Sequence, residues 1–229
     1  MILRPQFGLQ DPVASLTHLL AAAAVAAASC FLHRKGRGDR LRSGSLAIFS
    51  ASLFLLFASS GVYHGLPPGP WRALFRRLDY AAIWIFIAGS ATPVHTLLLR
   101  GHWRWSMTAL FWIFALASLV TLEVYFTRLG HGTIIGCYIG LASLGFVSYS
   151  TITRRYGWKE GTLLILGGGA YAAGAAIELM ARPVVLPGVV GPHELFHVMV
   201  VAGAAMHWLY IYNRADGREE RVAAAWAKR

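Results

Sequence analysis

Apolar residues in this chain fall in long uninterrupted blocks, without the alternation of a half-buried strand or the stripe of a surface helix. A helix needs roughly 20 predominantly apolar residues to cross the hydrocarbon core of a bilayer. Seven blocks reach that length, at about 13–32, 45–66, 80–99, 106–125, 132–151, 161–180 and 194–212. The pattern predicts an all-α integral membrane bundle of seven transmembrane helices. Little chain lies outside the spans. Residues 1–229 are therefore expected to form a single seven-helix membrane domain ending in a short basic tail over 213–229.

Three segments modify this picture. Between the second and third spans, Pro70 is placed like a first helical residue, and Trp71, Leu74, Phe75 and Leu78 follow on one helical face. Arg72, Arg76 and Arg77 take the other face, which predicts a short interfacial helix holding Asp79 at the mouth of the third span. Gly89-Ser90-Ala91-Thr92-Pro93 predicts a kink, because Pro93 cannot donate to the helical ladder. Gly167-Gly168-Gly169 follows no strand and is expected to serve close helix packing rather than phosphate binding.

Composition agrees with a membrane setting. Mean hydropathy is +0.53, and only 14% of residues are charged, too few to solvate the outside of a soluble domain of this length. The net charge of +11 does not indicate nucleic acid, because the cations sit in short segments between spans, where they meet lipid headgroups and set topology. With alternating crossings, six Lys and Arg fall on the side of the N-terminus and fifteen on the other, together the 21 of the chain. The positive-inside rule then puts the N-terminal side outside. Cys30 and Cys137 lie inside apolar blocks, so a disulfide scaffold is not indicated. The first block is long for a signal sequence and contains His18; it is expected to be a retained helix.

Ionisable groups within spans are costly, and three sets demand a reason. Ser60 and His64 share a helix face at the end of the second span, and Asp79 opens the third. His193 and His197 open the seventh at i and i+4, the spacing that lets one helix face chelate one ion. Alternating helix directions bring all three sets to one membrane level. His64, His193 and His197 then offer the three-imidazole set of open zinc sites. Asp79 is placed to orient a ligand histidine or to hold and deprotonate a water, and Ser60 to hydrogen-bond that water or a substrate carbonyl. The pair in the seventh span, taken alone, is weak evidence for a metal and is better explained by bonds to backbone carbonyls or partner helices. Glu194 is expected to face water or headgroups. His18 either lines the same cavity or packs within the bundle. Glu123 and Glu178 snorkel, pair with arginines or line a polar vestibule. His207 lies ten residues beyond His197, about 15 Å along a helix, too far to share an ion. His33, His95, His102 and His131 are read as structural.

These residues resemble the progestin and adipoQ receptor family, and specifically its bacterial hemolysin III branch. The matching pieces are Asp11 through His18, Ser60 through His64, and Arg77-Leu78-Asp79-Tyr80 leading to Gly89 through Pro93. The last is His193 through His197 with His207-Trp208. The resemblance covers all seven spans. It implies zinc held by His64, His193 and His197, with Ser60 and Asp79 as catalytic partners and Asp79 linked to the ion through water. It also implies kinship with the alkaline ceramidases, and so hydrolysis of the amide of a ceramide-type lipid. Leu19-Leu20 stands after His18 where the family pattern would have a glycine. The family's receptors place this site toward the cytoplasm, whereas the charge count here places it outside.

The resulting expectation is a zinc-dependent hydrolase of a lipid amide or ester in the bacterial inner membrane. Its partners would be membrane lipids and a lipid substrate or ligand, with no nucleic acid. Two other classes stay open: a zinc-stabilised receptor or regulator of membrane homeostasis, and a pore-forming, lytic or transport protein.

Overall fold

A computed structural model describes residues 8–125 and 128–217. No β-strand occurs among the described residues, and the chain folds into eight α-helices there. They are α1 (Pro12–Lys35), α2 (Arg40–Gly65), α3 (Pro70–Leu98), α4 (His102–Tyr125), α5 (His131–Ser143), α6 (Gly145–Tyr156), α7 (Thr162–Met180) and α8 (Pro192–Arg214). Seven stretches are long and apolar enough to cross a membrane, making this a multi-pass membrane protein. The fifth stretch, Gly132–Tyr156, combines α5 and α6. The break at Leu144 follows Ser143, whose hydroxyl donates to the Ile139 carbonyl at 2.7 Å, and precedes Gly145. A serine bonding its own ladder beside a glycine is a common site of helix interruption.

The third span differs from its expected start. Residues 70–78 are not a separate interfacial helix but the first turns of one 29-residue helix running from Pro70 to Leu98. Nothing between Leu78 and Tyr80 breaks the ladder, so the helix continues into the membrane with Trp71, Leu74 and Leu78 exposed along it. It also continues through Pro93.

α2 and α3 form the centre of the bundle, with 61% and 72% of their apolar windows buried. The fourth span, with 17% buried, is peripheral and turns residues such as Ile113, Phe114 and Leu116 outward. Such outward apolar faces are what a lipid solvent requires. α7 and α8 approach unusually closely. A Cβ on Gly167 would strike the His207 ring and the Gly203 carbonyl, and one on Gly203 would strike the Gly167 carbonyl. Small residues in membrane helices allow such contact, and here it brings the far end of α7 against the start of α8.

Candidate metal centre

The C-terminus of α2 leaves carbonyls without helical partners, and the chain just before α1 supplies them. Gln10 N–H donates to the Gly65 carbonyl at 3.3 Å, and Asp11 N–H donates to the His64 carbonyl at 2.9 Å. The Ser15 hydroxyl adds a bond to the Gly61 carbonyl at 2.8 Å. From α3, the Arg72 guanidinium donates to the carbonyls of Tyr63 (3.1 Å) and Leu66 (2.6 Å) and to the Asp11 carboxylate (2.6 Å). Three helix ends are thus locked together, and the lock sets the Asp11 carboxylate 3.0 Å from Nδ1 of His64.

α8 begins differently. Pro192 occupies its first turn, and the Glu194 carboxylate accepts the Gly191 N–H at 2.8 Å. Glu194 is therefore a buried N-terminal cap, 2% exposed, rather than a group facing water or headgroups. A carboxylate at that position satisfies an orphan donor and favours the helix dipole. This cap fixes the first turn of α8, from which His193 reaches back to α7. Glu178, in the last turn of α7, meets its Nδ1 at 3.2 Å.

The three histidines singled out from sequence converge. Nε2 of His193 lies 3.2 Å from Nε2 of His64 and 3.1 Å from Nε2 of His197. The potential ligand atoms of all three lie within 4.8 Å of one another. His64 and His197 are buried and His193 is half-buried, so the group is open on one side. Imidazole nitrogens about 2.0–2.1 Å from a tetrahedral ion stand roughly 3.3 Å apart; the two measured edges fit that spacing. A proton on Nδ1, donated to the neighbouring carboxylate, would leave His64 and His193 each with an Nε2 lone pair facing inward, the tautomer that a metal ligand needs.

Ser60 and His193 are the polar neighbours that act electrostatically on the Asp79 carboxylate. Both stand at the level of the histidines. Of the roles open to Asp79, orienting a ligand ring falls instead to Asp11 and Glu178. Sequence reading gave those two no such role. The only local signal was that each carboxylate lies at a helix end on the membrane side where the histidines lie.

His18 joins the site from α1. Its ring lies over that of His197, with centroids 3.9 Å apart, and meets Phe57 edge-on from below. It is a buried wall of the centre and not one of the three grouped ligands. His207 bonds the Leu164 carbonyl at 3.2 Å. His95, in the last turn of α3, is 1% exposed and bonded to the Ser148 hydroxyl at 2.7 Å, a buried contact between α3 and α6. The side chains of Glu123 and His131, Arg4 and the tail from residue 218 lie outside the described residues.

Asp11 lies just outside the first span. Burial alone would raise its carboxyl above the ordinary value, but the hydrogen bonds and charges of His64 and Arg72 outweigh this and hold it below.

Comparison with known proteins shows the family of the chain. Residues 9–208 match the family described as haemolysin-III related. The chain is 28% identical to Hemolysin-3 of Bacillus cereus over 203 residues, covering 88% of this chain and 90% of that protein. It is 24% identical to the Hemolysin-3 homolog of Bacillus subtilis (strain 168) over 164 residues, covering 70% and 72%.

Proposed function

We propose that this chain, which belongs to the haemolysin-III related family, is a zinc-dependent hydrolase of a lipid amide or ester, set in the bacterial inner membrane. The observation that carries the reading is the convergence of three imidazoles whose ligand atoms lie within 4.8 Å of one another, with Nε2 of His193 3.1–3.2 Å from the other two, and with a carboxylate at the Nδ1 of both His64 and His193. Three neutral imidazoles with one open side are the donor set of catalytic rather than closed structural zinc sites. Zinc is the metal that suits such a set, although imidazole also serves copper, iron and nickel.

A zinc ion bound there supplies Lewis acidity toward a carbonyl oxygen and lowers the pKa of water toward neutrality. The residues of the chain divide the remaining work. Asp11 and Glu178 hold the rings of His64 and His193 at fixed angles. Asp79 accepts the proton of the attacking water and later returns it to the leaving amine or alcohol, the ordinary exchange of a general base and acid. The Ser60 hydroxyl, a polar neighbour of Asp79, would fix the direction of that carboxylate.

The surroundings favour an amphiphilic substrate. The loop after α7 exposes Val184, Val185 and Leu186, and the first turns of α3 expose Trp71, Leu74 and Leu78. Both belong to the end of the bundle that carries the histidines, a placement that would put the open side of the centre at the depth of lipid headgroups. Aliphatic chains can stay in the bilayer while the amide or ester reaches the site.

The test is fatty-acid release from ceramides and glycerophospholipids by zinc-loaded protein, metal-stripped protein and His64→Ala. A loss of about a hundredfold or more is expected on stripping and in the variant, the scale of removing a major electrostatic stabiliser. Equal release by all three preparations overturns the assignment. Tight lipid binding without turnover would instead make the centre a regulatory one.

A further inference from the structure

On the membrane face opposite the histidines, α4 begins and α6 ends, and between them lies a cleft of about 460 Å³ lined by Trp103, Thr151, Arg154 and Arg155. Both guanidiniums are exposed. Among the described residues neither pairs with a carboxylate. Glu160, the acid next along the chain, is already held by Arg214. The two arginines complement the C-terminal dipole of α6, but a helix end engages few of the donors that two guanidinium forks carry. Arg155 also stands 5.4 Å from the Tyr156 ring centroid, which orients it without neutralising it.

The chemistry of the lining points to a phosphate ester. Adjacent guanidiniums match phosphate oxygens with paired donors, a fit that a lysine pair lacks. The Thr151 hydroxyl donates to the Val147 carbonyl at 3.0 Å, so toward the cleft it offers a lone pair, suited to a hydroxyl on the ligand rather than to the anion. Trp103, exposed beside Trp105 in the first turns of α4, is the kind of side chain that sits at headgroup level. Deeper along α6, Phe146 and Val147 are exposed, and α4 exposes Ile113 and Phe114. A soluble phosphate has no use for these faces, whereas acyl chains do.

We propose that this cleft binds an anionic phospholipid, with its phosphate on Arg154 and Arg155, a headgroup hydroxyl on Thr151, and its chains along α4 and α6. Only 17% and 22% of the fourth and fifth spans' apolar windows are buried by protein, which leaves apolar faces on both spans for its acyl chains. Basic pockets between membrane helices are a recognised form of lipid site. The inference does not depend on the metal centre.

The experiment uses full-length protein in neutral detergent. Phosphatidylglycerol, phosphatidylcholine or inorganic phosphate is added, and thermal midpoint and lipid retained in native mass spectrometry are read. Phosphatidylglycerol is expected to raise the midpoint saturably and to remain bound, while the other two do neither. In Arg154→Gln with Arg155→Gln its apparent affinity should fall by at least about tenfold, the cost of a lost charge-assisted contact. Arg128→Gln with Arg182→Gln, on the other face, should respond like wild type. Arg154→Lys with Arg155→Lys keeps both charges, guarding against a folding defect, and should also bind more weakly. Equal response to phosphatidylcholine, reproduction of the shift by inorganic phosphate, or wild-type binding by both arginine-pair variants overturns the proposal.

Discussion

Nε2 of His64 and Nε2 of His193 face each other at 3.2 Å, although the Nδ1 of each ring is already placed against a carboxylate. With each Nδ1 donating to its carboxylate, the two inward nitrogens would both be acceptors, and acceptors at that distance repel unless something positive lies between them. Asp11 and Glu178, one from each side of the centre, would thereby make His64, buried, and His193, half-buried, a cation-seeking pair. His197 completes the set one turn deeper in α8.

Loss of either carboxylate should loosen the metal without removing a ligand. Asp11→Asn and Glu178→Gln are each expected to lower zinc affinity by about ten- to hundredfold, the usual cost of losing a ligand-orienting partner. Competition against a chelator of known affinity measures this. His193→Ala, which removes a ligand outright, should leave the purified protein with almost no zinc by elemental analysis.

Ser60 and Asp79 should behave in the opposite way. Ser60→Ala and Asp79→Asn are expected to keep their zinc and lose turnover, Asp79→Asn by about 10²–10⁴-fold as for other general acid–base groups. Zinc content and fatty-acid release measured on the same preparations separate this pattern from that of the orienting carboxylates. Zinc loss in Asp79→Asn would make Asp79 part of the binding set.

Glu194 stands beside His193 but serves the backbone. Glu194→Ala removes the cap of α8 and leaves the Gly191 N–H without its partner, which should cost about 0.5–2 kcal/mol. Thermal unfolding with zinc in excess should show the loss while zinc content stays near wild type.

Gly167→Ala tests the close contact that places α7 against α8. The added methyl would meet the His207 ring and the Gly203 carbonyl, and overpacking of this kind costs about 1–3 kcal/mol. Because Glu178 belongs to the same helix, weaker zinc retention should accompany the lower thermal midpoint.

The Asp11 carboxyl also predicts a pH dependence. Its pKa in the folded protein lies below the ordinary value of 3.8, so the folded state favours the ionised form. That contribution is fully present above the unfolded value and fades as pH falls through the folded one. In zinc-free protein the stability advantage of wild type over Asp11→Asn should therefore hold at neutral pH and shrink once pH drops below about 4. Thermal midpoints of the two proteins across pH 3–7 check it.

Much of this protein is legible along the chain, because a bilayer punishes polar backbone and charge so heavily that spans and their exceptions stand out. The apolar blocks announce the helices. Ser60, His64, Asp79, His193 and His197 stand out as the polar groups a span would otherwise exclude, and the alternation of helix direction puts them at one level. Asp11 and Glu178 do not stand out, since a carboxylate at a span end costs little and needs no explanation. Their roles depend on which helix end touches which, and that follows from long-range contacts such as the Asp11 N–H on the His64 carbonyl and the Gly167–Gly203 approach. The merging of residues 70–78 into α3 and the burial of Glu194 are of the same kind. Period and hydropathy report how each segment meets its solvent; the partner that each polar end finds is settled only when the helices pack.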